Sequence, residues 1–294
     1  MKIGLVDVDS HNFPNLPLMK LGAFYRRRGE TVEFATELEH YDILYMSKIF
    51  TFTPDDLTSY NADEIIWGGS GYNIYTKLPD DVEHIMPLYE LYPQYCQTNG
   101  GTAYGFLTRG CFRNCPFCIV SEKEGCKSVQ VAELSEFWRG QKSIKLFDPN
   151  LLACADREKI LQSLIDSRAW IDFTQGLDIR LTDIYIAKML KDIKVKCLHF
   201  AWDNPDEDLS GQFEMVKKVT GFSYQKLIAY VLTNYNSTQE QDLYRIYKLR
   251  EIGVNPYVMI YDKEHAPREA RRLQRWVNNR RIWRSCEKFE DYHI

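Results

Sequence analysis

No run of eighteen apolar residues occurs in the 294-residue chain, which therefore offers no segment to cross a bilayer as a helix. Low-complexity tracts are also missing, and with 45% apolar and 27% charged residues the composition is that of a fully folded globular protein. Charge of one sign is not in excess. A formal net charge of -4 gives neither the basic surplus of a nucleic-acid binder nor an acidic solvating tail. The opening MKIGLVDVD has one lysine and then acidic residues, without the apolar length or cleavage site of a signal peptide, so no export is expected. Residues 1–95 contain no cysteine. The eight that follow stand at 96, 111, 115, 118, 126, 154, 197 and 286, with three inside one eight-residue stretch. That density suits a metal in a reducing compartment better than a set of disulfides, and the expected location is the cytoplasm.

The first hundred residues alternate between strand and helix patterns. Lys2–Val8 is an apolar run ending in acidic and turn-forming residues, Leu18–Arg28 has helical periodicity, and Thr31–Ala35, Tyr41–Met46 and Glu64–Trp67 are further strand candidates. The last of these precedes Gly68-Gly69-Ser70-Gly71. Strands separated by helices imply a small parallel sheet with covered faces. Lys77–Gln97, with Pro79, Pro87 and Pro93, interrupts that rhythm and reads as a linker. From Gly101 a longer alternation begins. Strand candidates are Thr102–Leu107, Ser143–Phe147, Trp170–Phe173, Lys196–Trp202, Leu227–Leu232 and Pro256–Tyr261. Helix candidates are Val129–Arg139, Asp156–Ser167, Thr182–Lys191, Leu209–Val219, Thr238–Ile252 and Pro267–Asn278. Repeated βαβ units close into a barrel or part of one, with active residues in the loops after the strands. The expected organisation is a Rossmann-like domain over 1–97, a partial barrel over 98–265 and an Arg- and Trp-rich helical tail over 266–294.

The loop after the first barrel strand reads Thr108-Arg109-Gly110-Cys111-Phe112-Arg113-Asn114-Cys115-Pro116-Phe117-Cys118. Three thiolates leave one iron of a cubic four-iron cluster without a protein ligand, open to a substrate or cofactor. Gly110 and Pro116 suit the tight turns such a loop needs. At these residues the chain resembles the radical S-adenosylmethionine (radical SAM) superfamily, whose defining loop has this spacing with an aromatic residue before the third cysteine. Phe117 fills that place. The resemblance implies a 4Fe-4S cluster on Cys111, Cys115 and Cys118, with S-adenosylmethionine chelating the open iron and Phe117 offering an aromatic face to adenine. It further implies reductive cleavage to a 5′-deoxyadenosyl radical that abstracts hydrogen from an organic substrate, a partial (β/α)6 barrel, and a reducing partner such as flavodoxin or ferredoxin. A structural zinc site and an electron-carrying cluster, either with Cys126 or Cys96 as fourth ligand, are the alternatives for the same cysteines.

The same resemblance nominates further residues for S-adenosylmethionine. Lys145-Leu146-Phe147-Asp148-Pro149-Asn150 ends the second strand, where relatives place polar residues toward the amino group; Asp148 and Asn150 stand here instead of the Gly-Gly-Glu of many relatives. Phe173-Thr174-Gln175-Gly176-Leu177-Asp178-Ile179-Arg180 ends the third and resembles the family's Gly-Leu-x-x-Arg segment. Gln175 and Arg180 are the candidates there, Arg180 through bidentate pairing with a carboxylate. On the fourth strand, period two places Cys197, His199, Ala201 and Asp203 on one face, with Asp203 near the open end. Each has a structural reading as well: Asp148 as a turn residue, Arg180 in a surface ion pair, His199 as a hydrogen-bonded core residue.

The N-terminal segment resembles the cobalamin-binding-type domain that precedes many radical SAM barrels, through Asp9-Ser10-His11, Ser47 and Gly68-Gly69. Pro14 and Lys48-Ile49 depart from that pattern, so cobalamin is not expected and the domain is read as vestigial. The missing cysteines of residues 1–95 set aside the methylthiolating subclass, which binds a second cluster there. In the tail, Leu273, Trp276 and Val277 have the spacing of an amphipathic helix; a phosphate contact, with Trp276 and Trp283 stacking on bases, is the other reading. The expected substrate is an unidentified small molecule or nucleotide. A cobalamin-dependent methyltransferase and a non-enzymatic electron carrier or nucleic-acid-associated sensor are the two other functions in view.

Overall fold

The computed structural model describes residues 1–293 as an α/β protein of two compact units. Unit 1 comprises Met1–Cys126 and Gln130–Lys145, and unit 2 comprises Lys127–Val129 and Leu146–Ile294. Among the described residues no helix is long and apolar enough to cross a membrane.

Unit 1 begins with β1 (Lys2–Asp7), α1 (Leu16–Arg27), β2 (Thr31–Phe34), β3 (His40–Ser47) and β4 (Asn61–Gly68). The four strands form a parallel sheet in the order β2-β1-β3-β4. The central strand is apolar without alternation because both its faces are covered, as parallel sheets require. Asn15 caps α1 by accepting the Leu18 N–H, and Arg26 and Arg27 complement the dipole at its other end. The proline-rich stretch is packed rather than a free linker. It holds two one-turn helices, α2 (Asp80–Glu83) and α3 (Pro93–Cys96), and buries Val82, Tyr92 and Cys96, while the Tyr92 hydroxyl donates to Asp7 at 2.6 Å. Prolines stop a long helix here but leave single turns intact.

Next come β5 (Thr102–Gly105), β6 (Thr108–Arg109), α4 (Val120–Glu124), β7 (Val129–Gln130) and β8 (Ser143–Leu146), with β8 beside β5. The helix expected over Val129–Arg139 is replaced by β7 and a single 3-10 turn at Leu134–Glu136. One long-range bond and one local capping box account for this. The Val131 N–H goes to the Leu107 carbonyl, and Glu133 and Glu136 form a reciprocal capping box that closes one turn.

Unit 2 carries α5 (Arg157–Ser167), β9 (Trp170–Phe173), α6 (Ile184–Asp192), β10 (Leu198–Ala201), α7 (Ser210–Thr220), β11 (Leu227–Thr233), α8 (Gln239–Ile252), β12 (Asn255–Ile260), α9 (Arg268–Asn278) and α10 (Arg280–Ser285). Strands β10, β11 and β12 pair in parallel, and a parallel bridge from Ile171 to Val195 brings the β9 segment alongside. Burial alternates strictly along β11, so each strand has a packed face and an opposite face. The packed face meets α7 and α8: Phe213 stacks on Trp202 and meets Phe200 edge-on. Full burial of Phe213 contributes about 1.5–3 kcal/mol. The outer edge of β12 is closed by α9, where Asn278 accepts the Val258 N–H at 2.8 Å and returns its amide to the Val258 carbonyl at 3.0 Å. A side-chain amide thus stands in for a further strand.

Arg245 is fully buried on α8. Its guanidinium donates to the carbonyls of Trp202 (2.7 Å), Asp203 (2.9 Å) and Leu232 (3.0 Å), and pairs with Asp242 at 2.5 Å. Arg245→Ala should destabilise the chain by roughly 3–5 kcal/mol, because Asp242 would be left as an uncompensated buried charge. Urea unfolding measures this, and a loss under 1 kcal/mol would show the fork to be dispensable.

Candidate functional site: the three-cysteine loop and the strand ends

The three cysteines lie in unit 1 between β6 and α4. Gly110, at φ 86°, turns the chain out of β6, and the Cys111 N–H bonds the Gly125 carbonyl, so both ends of the loop are tied together. A second tie is electrostatic: Glu124 pairs with Arg109 at 3.1 Å and accepts the Gly110 N–H at 3.3 Å. The Arg109 guanidinium lies 3.9 Å over the Phe106 ring. Within the loop, Asn114 adopts φ 47° and accepts from Ser121, and the Cys118 N–H closes a turn onto the Cys115 carbonyl. Cys111, Cys115 and Phe117 are half-buried and Cys118 is exposed.

None of the eight cysteines is joined in a disulfide. Among the described residues no three His, Cys, Asp or Glu side chains gather closely enough to hold a single metal ion. A four-iron cluster asks for a different arrangement, since each thiolate binds its own iron and the donors stand further apart than around one tetrahedral ion. Three accessible thiols on one clamped loop suit that chemistry. Cys96 does not suit a ligand's role: it is buried, and burial pushes its thiol up to about 12. Cys126 is exposed, with its thiol directed at the Ser121 carbonyl at 4.0 Å.

Unit 2 brings several of the other candidates together at the ends of its strands. Arg180 donates from Nη1 to Asp178 at 3.0 Å and from Nε to Glu207 at 2.8 Å, so it is held by two carboxylates of its own chain, with its Nη2 group making no hydrogen bond among the described residues. Asp178 also caps the turn that carries Arg180, and Asn150 reaches it at 3.5 Å. Asp203 accepts the Leu232 N–H at 3.2 Å. Burial pushes its carboxyl up from the ordinary value, against that hydrogen bond and the charges of Arg245 and Arg180. Asp148 is buried. Gln175 is exposed, just before Gly176, whose φ of 82° lets the chain pass close to the His199 carbonyl. His199 is half-buried and meets the Cys197 thiol through Nε2 at 3.5 Å, as a hydrogen-bonded residue would, while its Nδ1 is buried with no hydrogen-bond partner among the described residues. Sequence reasoning also missed Asp172 and Tyr230 beside it, although period two extended from Cys197 and His199 to the neighbouring strands would have marked both.

The residues resembling cobalamin marks have work inside unit 1. Asp9 is buried and accepts the N–H groups of Ile49 (2.7 Å) and Phe50 (2.9 Å). Asn15 donates to both Ser10 and Ser47 at 2.9 Å. Gly69, at φ 91°, lies where a Cβ would come within 2.2 Å of the Lys48 carbonyl. His11 is exposed. In the tail, Leu273, Trp276 and Val277 are buried as expected, but Trp283 is buried too. Both indole N–H groups are bonded internally, to Cys286 and Tyr224, and burial of the two rings removes them as platforms for bases.

The chain matches no protein-family model and none of the curated proteins.

Asp9→Ala should cost about 2–4 kcal/mol through the two charge-assisted bonds it removes, whereas His11→Ala should stay within about 0.5 kcal/mol. Urea denaturation of the two variants checks this; equal effects would show that Asp9 does not hold the Ile49–Phe50 backbone.

Proposed function

We propose that the chain is a radical SAM enzyme that cleaves S-adenosylmethionine reductively and acts on an organic substrate, in a partial (β/α)6 barrel preceded by a Rossmann-like domain. The observation that carries this reading is the loop itself. Cys111, Cys115 and Cys118 lie as accessible thiols on a segment whose two ends are clamped by the Cys111–Gly125 bond and the Arg109–Glu124 pair. In this reading they hold three irons of a 4Fe-4S cluster and leave the fourth open. When bound, the cluster supplies the electron that splits the sulfonium and yields the 5′-deoxyadenosyl radical. The part of the chain's own residues is positional. Phe117 offers a half-buried ring on the same loop, Gly110 and Asn114 supply the left-handed turns that present the thiols, and the Nη2 group of Arg180 can meet a carboxylate. Asp148, Gln175 and Asp203 are the remaining candidates for the cofactor's polar groups. Cobalamin has no part in the proposal, because Asp9, Ser47 and Gly69 are engaged in the chain's own packing.

Anaerobic reconstitution of the purified protein should give a brown species with about four irons per chain. Serine at Cys111, Cys115 or Cys118 should abolish it, and Cys126→Ser should not. Dithionite should then release 5′-deoxyadenosine and methionine from S-adenosylmethionine, followed by chromatography. A colourless zinc-loaded protein, or loss of the cluster in Cys126→Ser with no cleavage by the wild type, would overturn the proposal.

A further inference from the structure

The sheet of unit 2 has two unlike faces. The packed face is aliphatic and aromatic and is filled by α7 and α8. The opposite face carries Asp172, Cys197, His199, Tyr230, Tyr257 and Met259, one or two from each of β9 to β12 or the residue just before. Its groups are neighbours. The Cys197 thiol lies 3.5 Å from His199 Nε2, the His199 ring stacks on Tyr230 at 5.4 Å with 2° between planes, and Tyr230 meets Tyr257 edge-on at 5.7 Å. Asp172 is close enough that its charge acts on Cys197, His199 and Tyr230. Solvent reaches this face, since Tyr257 and Met259 are 43% and 46% exposed.

Among the described residues, no cation is bonded to the cluster's carboxylate, although the Lys196 charge acts on Cys197. Asp172 is half-buried and makes no hydrogen bond or ion pair among the described residues; Lys196 nearby is exposed and forms no ion pair. Burial pushes the Cys197 thiol up and the His199 imidazole down, which disfavours the charged form of each. Among the described residues, the buried His199 Nδ1 has no hydrogen-bond partner, and the hydroxyls of Tyr230 and Tyr257 make no hydrogen bond. A half-buried carboxylate with no bonded partner favours a counter-charge. Aromatic rings around it favour a cation, whose charge is attracted to their faces.

We propose that this face binds an organic cation bearing N–H donors, a primary ammonium or a guanidinium, with Asp172 as its counter-ion and Tyr230, Tyr257 and His199 as its walls. The inference rests on the radical SAM reading only in taking this cation to be part of the substrate. The binding itself requires neither cluster nor S-adenosylmethionine.

Isothermal titration of the full chain with putrescine and with agmatine, and with 1-butanol as neutral control, tests the site. The amines should bind saturably and the alcohol should not. Asp172→Asn should weaken binding by roughly tenfold or more, as expected for one lost charge-assisted contact, and Tyr257→Leu should weaken it less. Circular dichroism melts establish that both variants fold. Undiminished binding by folded Asp172→Asn, or no saturable binding of either amine by the wild type, would overturn the proposal. Amine binding in a protein that never cleaves S-adenosylmethionine would sink only the enzymatic reading.

Discussion

A guanidinium buried without solvent holds the strand ends of unit 2, and the positions of its candidate residues follow from it. Parallel strands that stop leave carbonyls pointing out of the ladder, and buried carbonyls must find donors. At the ends of β10 and β11 those are the carbonyls of Trp202, Asp203 and Leu232, and Arg245 serves all three. Only arginine combines enough N–H donors, a planar fork and a charge that persists under burial; a lysine would serve fewer acceptors and shed its proton more readily. Burial disfavours the ions on both sides, lowering the Arg245 proton affinity and raising that of Asp242, so the pair persists through its hydrogen bonds as well as its charges. Because the Asp203 backbone is one of the acceptors, the direction of that carboxylate is set from α8.

The same sheet separates its tasks by face. Alternation sends Phe200, Trp202 and Val231 into the packing and leaves His199 and Tyr230 on the other side. A face with only a structural task would be expected to satisfy its polar groups internally. Here a carboxylate and an imidazole nitrogen go without hydrogen-bond partners among the described residues, a local cost that a ligand's donors would offset.

Much of the architecture was legible in the residues. The apolar runs of β1, β3 and β11 and the helical patterns of Leu18–Arg28 and Thr238–Ile252 place those strands and helices to within a few positions. The failures fall where local pattern competes with tertiary partners. Val129–Arg139 has helical spacing, yet Val131 gives its N–H to Leu107, a bond that no periodicity announces. The prolines of Lys77–Gln97 mark broken regular structure correctly, but burial of Val82 and Tyr92 depends on a sheet assembled from distant residues. Of the candidate site, the cysteine spacing is readable because one short loop carries it. The ties of Arg180 to Asp178 and Glu207 are not, because the second spans a whole βα unit.

Unit 1 illustrates why motif residues need their contacts before they are given a role. In the order β2-β1-β3-β4 the chain reverses direction across the sheet between β1 and β3, and open α/β sheets bind ligands in the crevice beyond the strand ends at such a point. Asp9 follows β1 and the Lys48–Phe50 segment follows β3, so these are the residues that would border the crevice. They bond to each other instead. Both carboxylate oxygens of Asp9 take N–H groups of Ile49 and Phe50, and Lys48 turns into the unit to reach Thr53, Asp55 and the Tyr72 ring. Gly69 then lets the loop after β4 pass against the Lys48 carbonyl, a contact that any Cβ would prevent. An aspartate, a serine and a glycine at those strand ends are therefore explained by closure of the crevice with the chain's own backbone. A ligand seated there would have to displace two charge-assisted hydrogen bonds before making any of its own.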